Sequence, residues 1–319
     1  MTTGLKRDLL QIGAFALAVI VITLATDSGV TLTFVMMALY AALLAQAWNI
    51  LGGFGGQFSF GHALFFGVGA YMCVIAQVSW GINAWAALAL AAAAAALTGL
   101  LVGALSFRYG LKGSYFALVT LAFAEVFRIV AVSVGFTGGG VGMMLPLNPS
   151  LATLQFGSRK GGIALIGAIV LAALLVTVWL RHSRLGAGLQ AVRDNEDAAS
   201  AIGVNAFRVK LAAIVLSAAF MGLAGAFYVQ VFQYNDPGIA FGPHVSVEAL
   251  VGAIVGGMGT LWGPVLGAVV LHLLAELTRN LFGELPGLSL VIYGVVLVLI
   301  VMFVPRGLAG LFDHWRRRR

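Results

Sequence analysis

The chain of 319 residues is 61% hydrophobic and only 9% charged, with a formal net charge of +7 and a mean hydropathy of +1.04. Repeated apolar runs of about 18 residues or more exclude a soluble globular domain, and unbroken runs such as Ala86 to Leu97 exclude a transmembrane β-barrel, whose strands alternate apolar and polar residues. The predicted class is all-α: a polytopic helical membrane protein with one transmembrane domain over residues 1–319, its positive charge serving orientation and contact with anionic lipid rather than nucleic acid.

In chain order, Leu9 to Ala25 follows Lys6 and Arg7 as a signal peptide would, but it lacks a clear small-residue cleavage site and is expected to be a retained first helix. Val30 to Leu51 follows the turn at Asp27, Ser28 and Gly29; about 22 residues at ~1.5 Å each suffice to span the hydrocarbon core. Gly52 to His62 is too polar and glycine-rich for a lipid-facing helix and reads as a break. Ala63 to Val78 then resumes the apolar pattern. Ala84 to Phe107 follows, with Trp80 and Trp85 placed as interfacial anchors. Ser114 to Val134 comes after a tight turn between Arg108 and Lys112. A polar connection, Gly135 to Gly162, leads to Ile163 to Leu180.

The segment Arg181 to Lys210 is the most water-compatible internal stretch, with five of the 18 Lys and Arg and three of the 11 Asp and Glu. Asp194 is expected to cap a short helix running through Ala198 and Ile202, with Asp197 placed as the acid of a capping box. Gly203 supplies a left-handed stop, and Asn205 caps the next helix from Phe207. A two-turn helix does not persist alone in water, so this one calls for a docking surface, which the small residues Ala198, Ala199, Ser200 and Ala201 would let approach closely. An ordinary solvated loop is the alternative.

Leu211 to Phe232 is the next span. After a loop from Tyr234 to His244, Val245 to Val255 is too short to cross alone. A second glycine-rich break, Gly256 to Pro264, precedes Val265 to Leu281 and Leu288 to Val304, giving about ten spans. The two breaks occupy similar places in the two halves, which reads either as an internal repeat with a path between the halves or as close helix packing. On the first reading the path candidates are Gly56, Gln57, Ser59, Gly61, His62, Gly257, Gly259 and Thr260. Substitution at Gly103, in an uninterrupted span, is expected to matter less.

Orientation follows from charge. With the amino terminus inside, ten crossings place Lys6 and Arg7, the Arg108/Lys112 turn, the 181–210 loop and the arginine tail on the cytoplasmic side, together 14 of the 18 basic residues. Both termini are therefore expected to be cytoplasmic.

Motifs for chemistry are lacking. There is no G-x-x-x-x-G-K-[ST] loop, and Gly138-Gly139-Gly140 has no following lysine, so the chain is not expected to bind ATP that way. The single cysteine, Cys73, excludes an internal disulfide. His272 and Glu276 share a helix face and read as a structural hydrogen bond rather than a metal site. Glu125 and Arg128 read as a structural pair. Glu248 has no obvious local partner, and a charge at membrane depth must face protein or water. No cofactor, metal or catalytic residue is expected.

The run Trp48-Asn49-Ile50-Leu51-Gly52-Gly53-Phe54-Gly55-Gly56-Gln57-Phe58-Ser59-Phe60-Gly61-His62 resembles the signature of LivM-type permeases of branched-chain amino acid ABC importers. So do Tyr115 to Ala122, Thr137-Gly138-Gly139, Arg184-Leu185-Gly186 with Asp194-Asn195-Glu196-Asp197-Ala198-Ala199 and Gly203, Gly256 to Pro264, and Pro305-Arg306-Gly307-Leu308. The resemblance implies a permease in the bacterial cytoplasmic membrane that pairs with a second, LivH-like permease, two cytoplasmic ATPases that bind the ATP, and an extracytoplasmic binding protein. It also implies that residues 181–210 hold the helix that couples to an ATPase, through Asp194, Glu196, Ala198, Ala199 and Gly203. The same architecture serving urea or short amides, and an ion-coupled secondary transporter or channel working alone, stay open as alternatives.

Overall fold

The computed structural model describes residues 3–282 continuously and, beyond them, positions 291, 292, 294, 295, 298, 302 and 307–310. Twelve α-helices follow in order within residues 3–282: α1 Thr3–Ala25, α2 Gly29–Asn49, α3 His62–Val78, α4 Ala84–Arg108, α5 Gly113–Ser133, α6 Arg159–His182, α7 Arg184–Asp194, α8 Glu196–Ala201, α9 Ala206–Phe232, α10 Pro237–Ala240, α11 Pro243–Gly256 and α12 Gly263–Phe282. Helix is the expected solution because a bilayer offers backbone groups no water to bond. The caps come from the turns: Ser28 accepts from Thr31 N, Asn83 from Trp85 N, Ser158 from Lys160 N, Ser183 from Gly186 N and Asp236 from Gly238 N and Ile239 N.

Eight described helices are long and apolar enough to cross a membrane, and α3 adds a shorter apolar one. The eight include Pro237–Gly256, so the segment judged too short from Val245 alone is extended by α10 to crossing length. The reason is local: Pro237 and Pro243 each sit at a first helical turn, where the missing N–H costs nothing. The expected span Leu288 to Val304 lies almost wholly outside the described residues.

Helices α2 and α9 form the centre. Ala42, Leu43, Leu44 and Trp48 of α2, with Ile214, Ala218, Met221 and Ala224 of α9, are completely buried. Small residues let α9 approach its neighbours: a β-carbon at Gly222 would strike Ala95 of α4, and one at Gly225 the backbone of Phe66 in α3.

The connections sort onto two faces. On one, Lys112 of the α4–α5 turn reaches Glu196 of α8, and Arg181 and His182 at the end of α6 bond Asp8 near the amino terminus. On the other, Lys160 bonds Asp27 at 2.7 Å, Trp85 Nε1 donates to Leu151 O, and strands β1 Met143–Met144 and β2 Tyr234–Asn235 pair antiparallel. This grouping matches the distribution of basic residues: the first face collects Lys6, Arg7, Arg108, Lys112 and the whole of 181–210.

Gly103 proves a poor comparison position, because a β-carbon there would lie 2.6 Å from Ile214 Cγ2 on α9. Gly167 of α6 has nothing within 4 Å of such a carbon. Gly103→Leu is therefore expected to lower stability by about 3 kcal/mol through overpacking while Gly167→Leu changes it little; thermal melts of the two variants in detergent check this, and equal melting temperatures would contradict the α4–α9 contact.

Candidate functional site

The first break starts later than the sequence indicates. Helix α2 continues through a wide five-residue turn, Ile50–Phe54, fully buried, so Gly52 and Gly53 are helical and the irregular backbone runs from Gly55 to Gly61. Gln57 N closes the turn on Leu51 O. Trp48, with no exposed surface, donates its Nε1 to Ser59 O at 2.9 Å and so ties the far end of the break back to α2.

His62 opens α3 and is also completely buried, with Nδ1 3.0 Å from Ser59 Oγ and Nε2 2.9 Å from Ser217 Oγ. Ser217 spends its hydroxyl proton on Ala47 O at 2.7 Å. The Ser217 oxygen is thus the acceptor, His62 Nε2–H the donor, and His62 Nδ1 accepts from Ser59. Of the path candidates, Ser59, Gly61 and His62 are sealed inside the protein, as is Gly257. Gly56, Gln57, Gly259 and Thr260 are half-buried.

The second break lies against the first. Asn49, at the end of α2 and fully buried, donates Nδ2 to Thr260 O at 3.0 Å and accepts from Gly259 N on Oδ1 at 2.7 Å. Thr260 Oγ1 donates to Gly257 O and accepts from Gly263 N, closing the end of α11 on the start of α12. Gly259, at φ +76°, holds a left-handed conformation that a side chain would strain. Gly307, from the Pro305-Arg306-Gly307-Leu308 motif, packs on the backbone of Gly256 and Gly257.

One side chain of the polar stretch touches both breaks. Arg193, near the end of α7, donates Nη1 to Gly53 O at 2.9 Å, and its stem lies over Gly56. A β-carbon on Gly259 would sit 2.8 Å from the same Nη1. In the sequence Arg193 is one charge among five and Asn49 one residue of its motif, because nothing local tells that residues some 140 and 210 positions away supply their partners.

Asn195, not Asp194, caps α8: its Oδ1 accepts from Asp197 N at 3.1 Å and Ala198 N at 3.0 Å. Asp194 instead ends α7, 3.6 Å from Arg193 Nε. The extended backbone needed at a cap falls one residue later than the acid pattern suggested. Ala199 is turned inward and buried, which removes it from the outer face; Ala198, Ala201 and Gly203 are exposed, and Ile202 is 78% exposed at the tip. Gly203 has φ +89° and Asn205 accepts from Arg208 N, as the sequence indicates.

Glu196 anchors α8 from below. Its carboxylate bonds Lys210 Nζ at 2.7 Å and lies 3.3 Å from Lys112 Nζ. Lys210 is 2% exposed, its ammonium 4.9 Å from the centre of the Phe107 ring. Burial pushes the Glu196 carboxyl up, but the hydrogen bonds and charges of Lys210 and Lys112 outweigh it and hold the group below its ordinary value. The hydrogen bond to Glu196 in turn raises Lys112. Elsewhere, Glu125 and Arg128 make the expected pair, at 2.6 and 2.8 Å. Glu276 bonds Arg279 at 2.6 Å rather than His272, whose ring lies 5.0 Å from that of Phe34.

A family model described as the permease component of the branched-chain amino acid transport system matches residues 30–301. The chain is 30% identical over 299 residues to the high-affinity branched-chain amino acid transport system permease protein LivM of Salmonella typhimurium, covering 85% of this chain and 68% of that one. It is 30% identical over 293 residues to LivM of Escherichia coli, with 83% and 67% covered. With LivH of Escherichia coli it shares 24% identity over 288 residues, covering 84% and 91%. A bundle of apolar helices with two adjoining breaks and a polar helix pair on one face, matched by this family model over most of its length, belongs to the branched-chain amino acid transport system permease family, as a permease subunit of an ABC importer.

Proposed function

We propose that the chain forms one half of the translocation path for branched-chain amino acids, beside a second, LivH-like permease. A binding protein outside delivers the substrate, and two cytoplasmic ATPases bind the ATP. In this reading the face carrying α7 and α8 is cytoplasmic, as are both termini, in accord with the excess of basic residues there. The observation that carries it is Arg193, which links the α7–α8 pair to both helix breaks. Movement of a docked ATPase against α8 is thereby passed to the backbone at Gly53 and Gly259. Of the five coupling candidates, Ala198 and Gly203 face outward with Ile202, while Glu196 and Ala199 hold α8 to the bundle and Asp194 ends α7.

Three outcomes are expected in the reconstituted importer. Ala198→Arg adds bulk and charge to the exposed side of α8 without touching a span, and should abolish ATPase co-purification and uptake together; full retention of both would leave α8 a solvated loop. Arg193→Ala leaves that surface intact, so ATPase subunits should stay bound while uptake falls roughly tenfold or more, the scale of losing a charged hydrogen bond.

Glu196→Gln leaves Lys210 buried without its anion. It should cost about 2–3 kcal/mol near neutral pH, less than a fully buried pair because Glu196 is 21% exposed. The sign with pH follows from the depressed carboxyl: its contribution is present above the ordinary value of 4.5 and is lost as pH falls through the lower folded-state value. Melting temperatures of wild type and variant should therefore converge below about pH 4.5, and a gap independent of pH would refute the assignment.

A further inference from the structure

Glu248 stands apart from the other described acidic side chains. Asp8, Asp27, Glu125, Asp194, Glu196, Asp197 and Glu276 have cationic partners, and Asp236 caps backbone N–H groups. Among the described residues Glu248 has neither ion pair nor hydrogen bond. It lies on α11 about 7.5 Å from Pro243 and about 12 Å from Gly256, at ~1.5 Å per residue, well within the apolar Pro237–Gly256 segment that is long enough to cross a membrane. Its side chain is nevertheless exposed at the surface of the chain. An ionisable group at that depth faces water or protein, not lipid.

The surface it occupies is a groove of about 350 Å³ between α11, α12 and the middle of α2. His244 is one turn away on the same face of α11, and His272 faces the groove from α12. The walls are aliphatic, among them Ala41, Val251 and Leu271. Among the described residues no group of three potential ligands is placed to hold a metal ion. A carboxylate, two imidazoles able to donate N–H and a small aliphatic wall complement a zwitterion with an aliphatic side chain: ammonium on Glu248, carboxylate on the histidines, hydrocarbon on the wall.

We infer that the α11–α12 groove is this subunit's wall of the translocation path and that Glu248 receives the ammonium group of the passing amino acid. This rests on the function proposed above. The experiment uses the assembled importer in vesicles, with Cys73 left in place because it is buried. Val251→Cys should react with the membrane-impermeant reagent trimethylammonium-ethyl methanethiosulfonate, and leucine with its binding protein and ATP should slow the reaction. Leu97→Cys, on the outer side of α4, should stay unlabelled. Glu248→Gln should reduce leucine uptake roughly tenfold with all subunits still assembled, and Glu248→Asp should recover most of it. If the wild-type importer carries leucine yet Val251→Cys resists the reagent as Leu97→Cys does, or Glu248→Gln transports normally, the inference fails alone. If the wild type carries none of leucine, isoleucine and valine, the proposed function fails instead.

Discussion

A helix that breaks within a packed apolar bundle leaves backbone donors and acceptors without their helical partners, and each such group that is buried must find another in the protein. This molecule meets that demand with a few side chains spaced far apart in the sequence. Trp48 takes Ser59 O, Asn49 takes both Gly259 N and Thr260 O, and Arg193 takes Gly53 O. Because Asn49 and Arg193 each contact a break from elsewhere in the chain, the two breaks are joined to one another and to the helix pair α7–α8. The satisfaction of the backbone and the mechanical linkage are the same set of bonds.

The charge arrangement around α8 follows the same logic at the membrane edge. A six-residue helix lacks the length to hold itself. Asn195 caps it, Glu196 ties it to Lys210 and Lys112, and Ala199 packs it down. The exposed Ala198 and Ile202 are the surface that the proposed function assigns to an ATPase. A buried lysine at the base is tolerable because the Glu196 carboxylate and the face of Phe107 both stabilise its charge.

Much of this was legible in the sequence. Apolar length marked the spans, basic residues sorted the faces, and glycine clusters marked both breaks, because each of these signals is local. Cap chemistry was half legible: Gly203 and Asn205 act as their residue types suggest, whereas Asp194 and Asn195 are adjacent candidates that only backbone geometry separates. Pro243 hid the extension of α11 by α10, since a proline after a glycine reads as a loop. Asn49, Arg193 and Lys210 were not legible as site residues, because their partners lie in other elements. The standing of Glu248 as a group without a partner likewise required knowing where every other charge goes.

The most direct test is a pair of distances measured by pulsed spin-label spectroscopy in the assembled importer, with and without ATP. One pair joins Ile202, at the end of α8, to Met258 in the second break, both exposed; the other joins Ile202 to Leu147 on the opposite face. If the bonds of Arg193 and Asn49 make α8 and the breaks one moving unit, the first distance stays constant while the second changes on adding ATP. A first distance that shifts with ATP as much as the second would mean that α8 moves independently of the breaks, and the linkage would not be the coupling element.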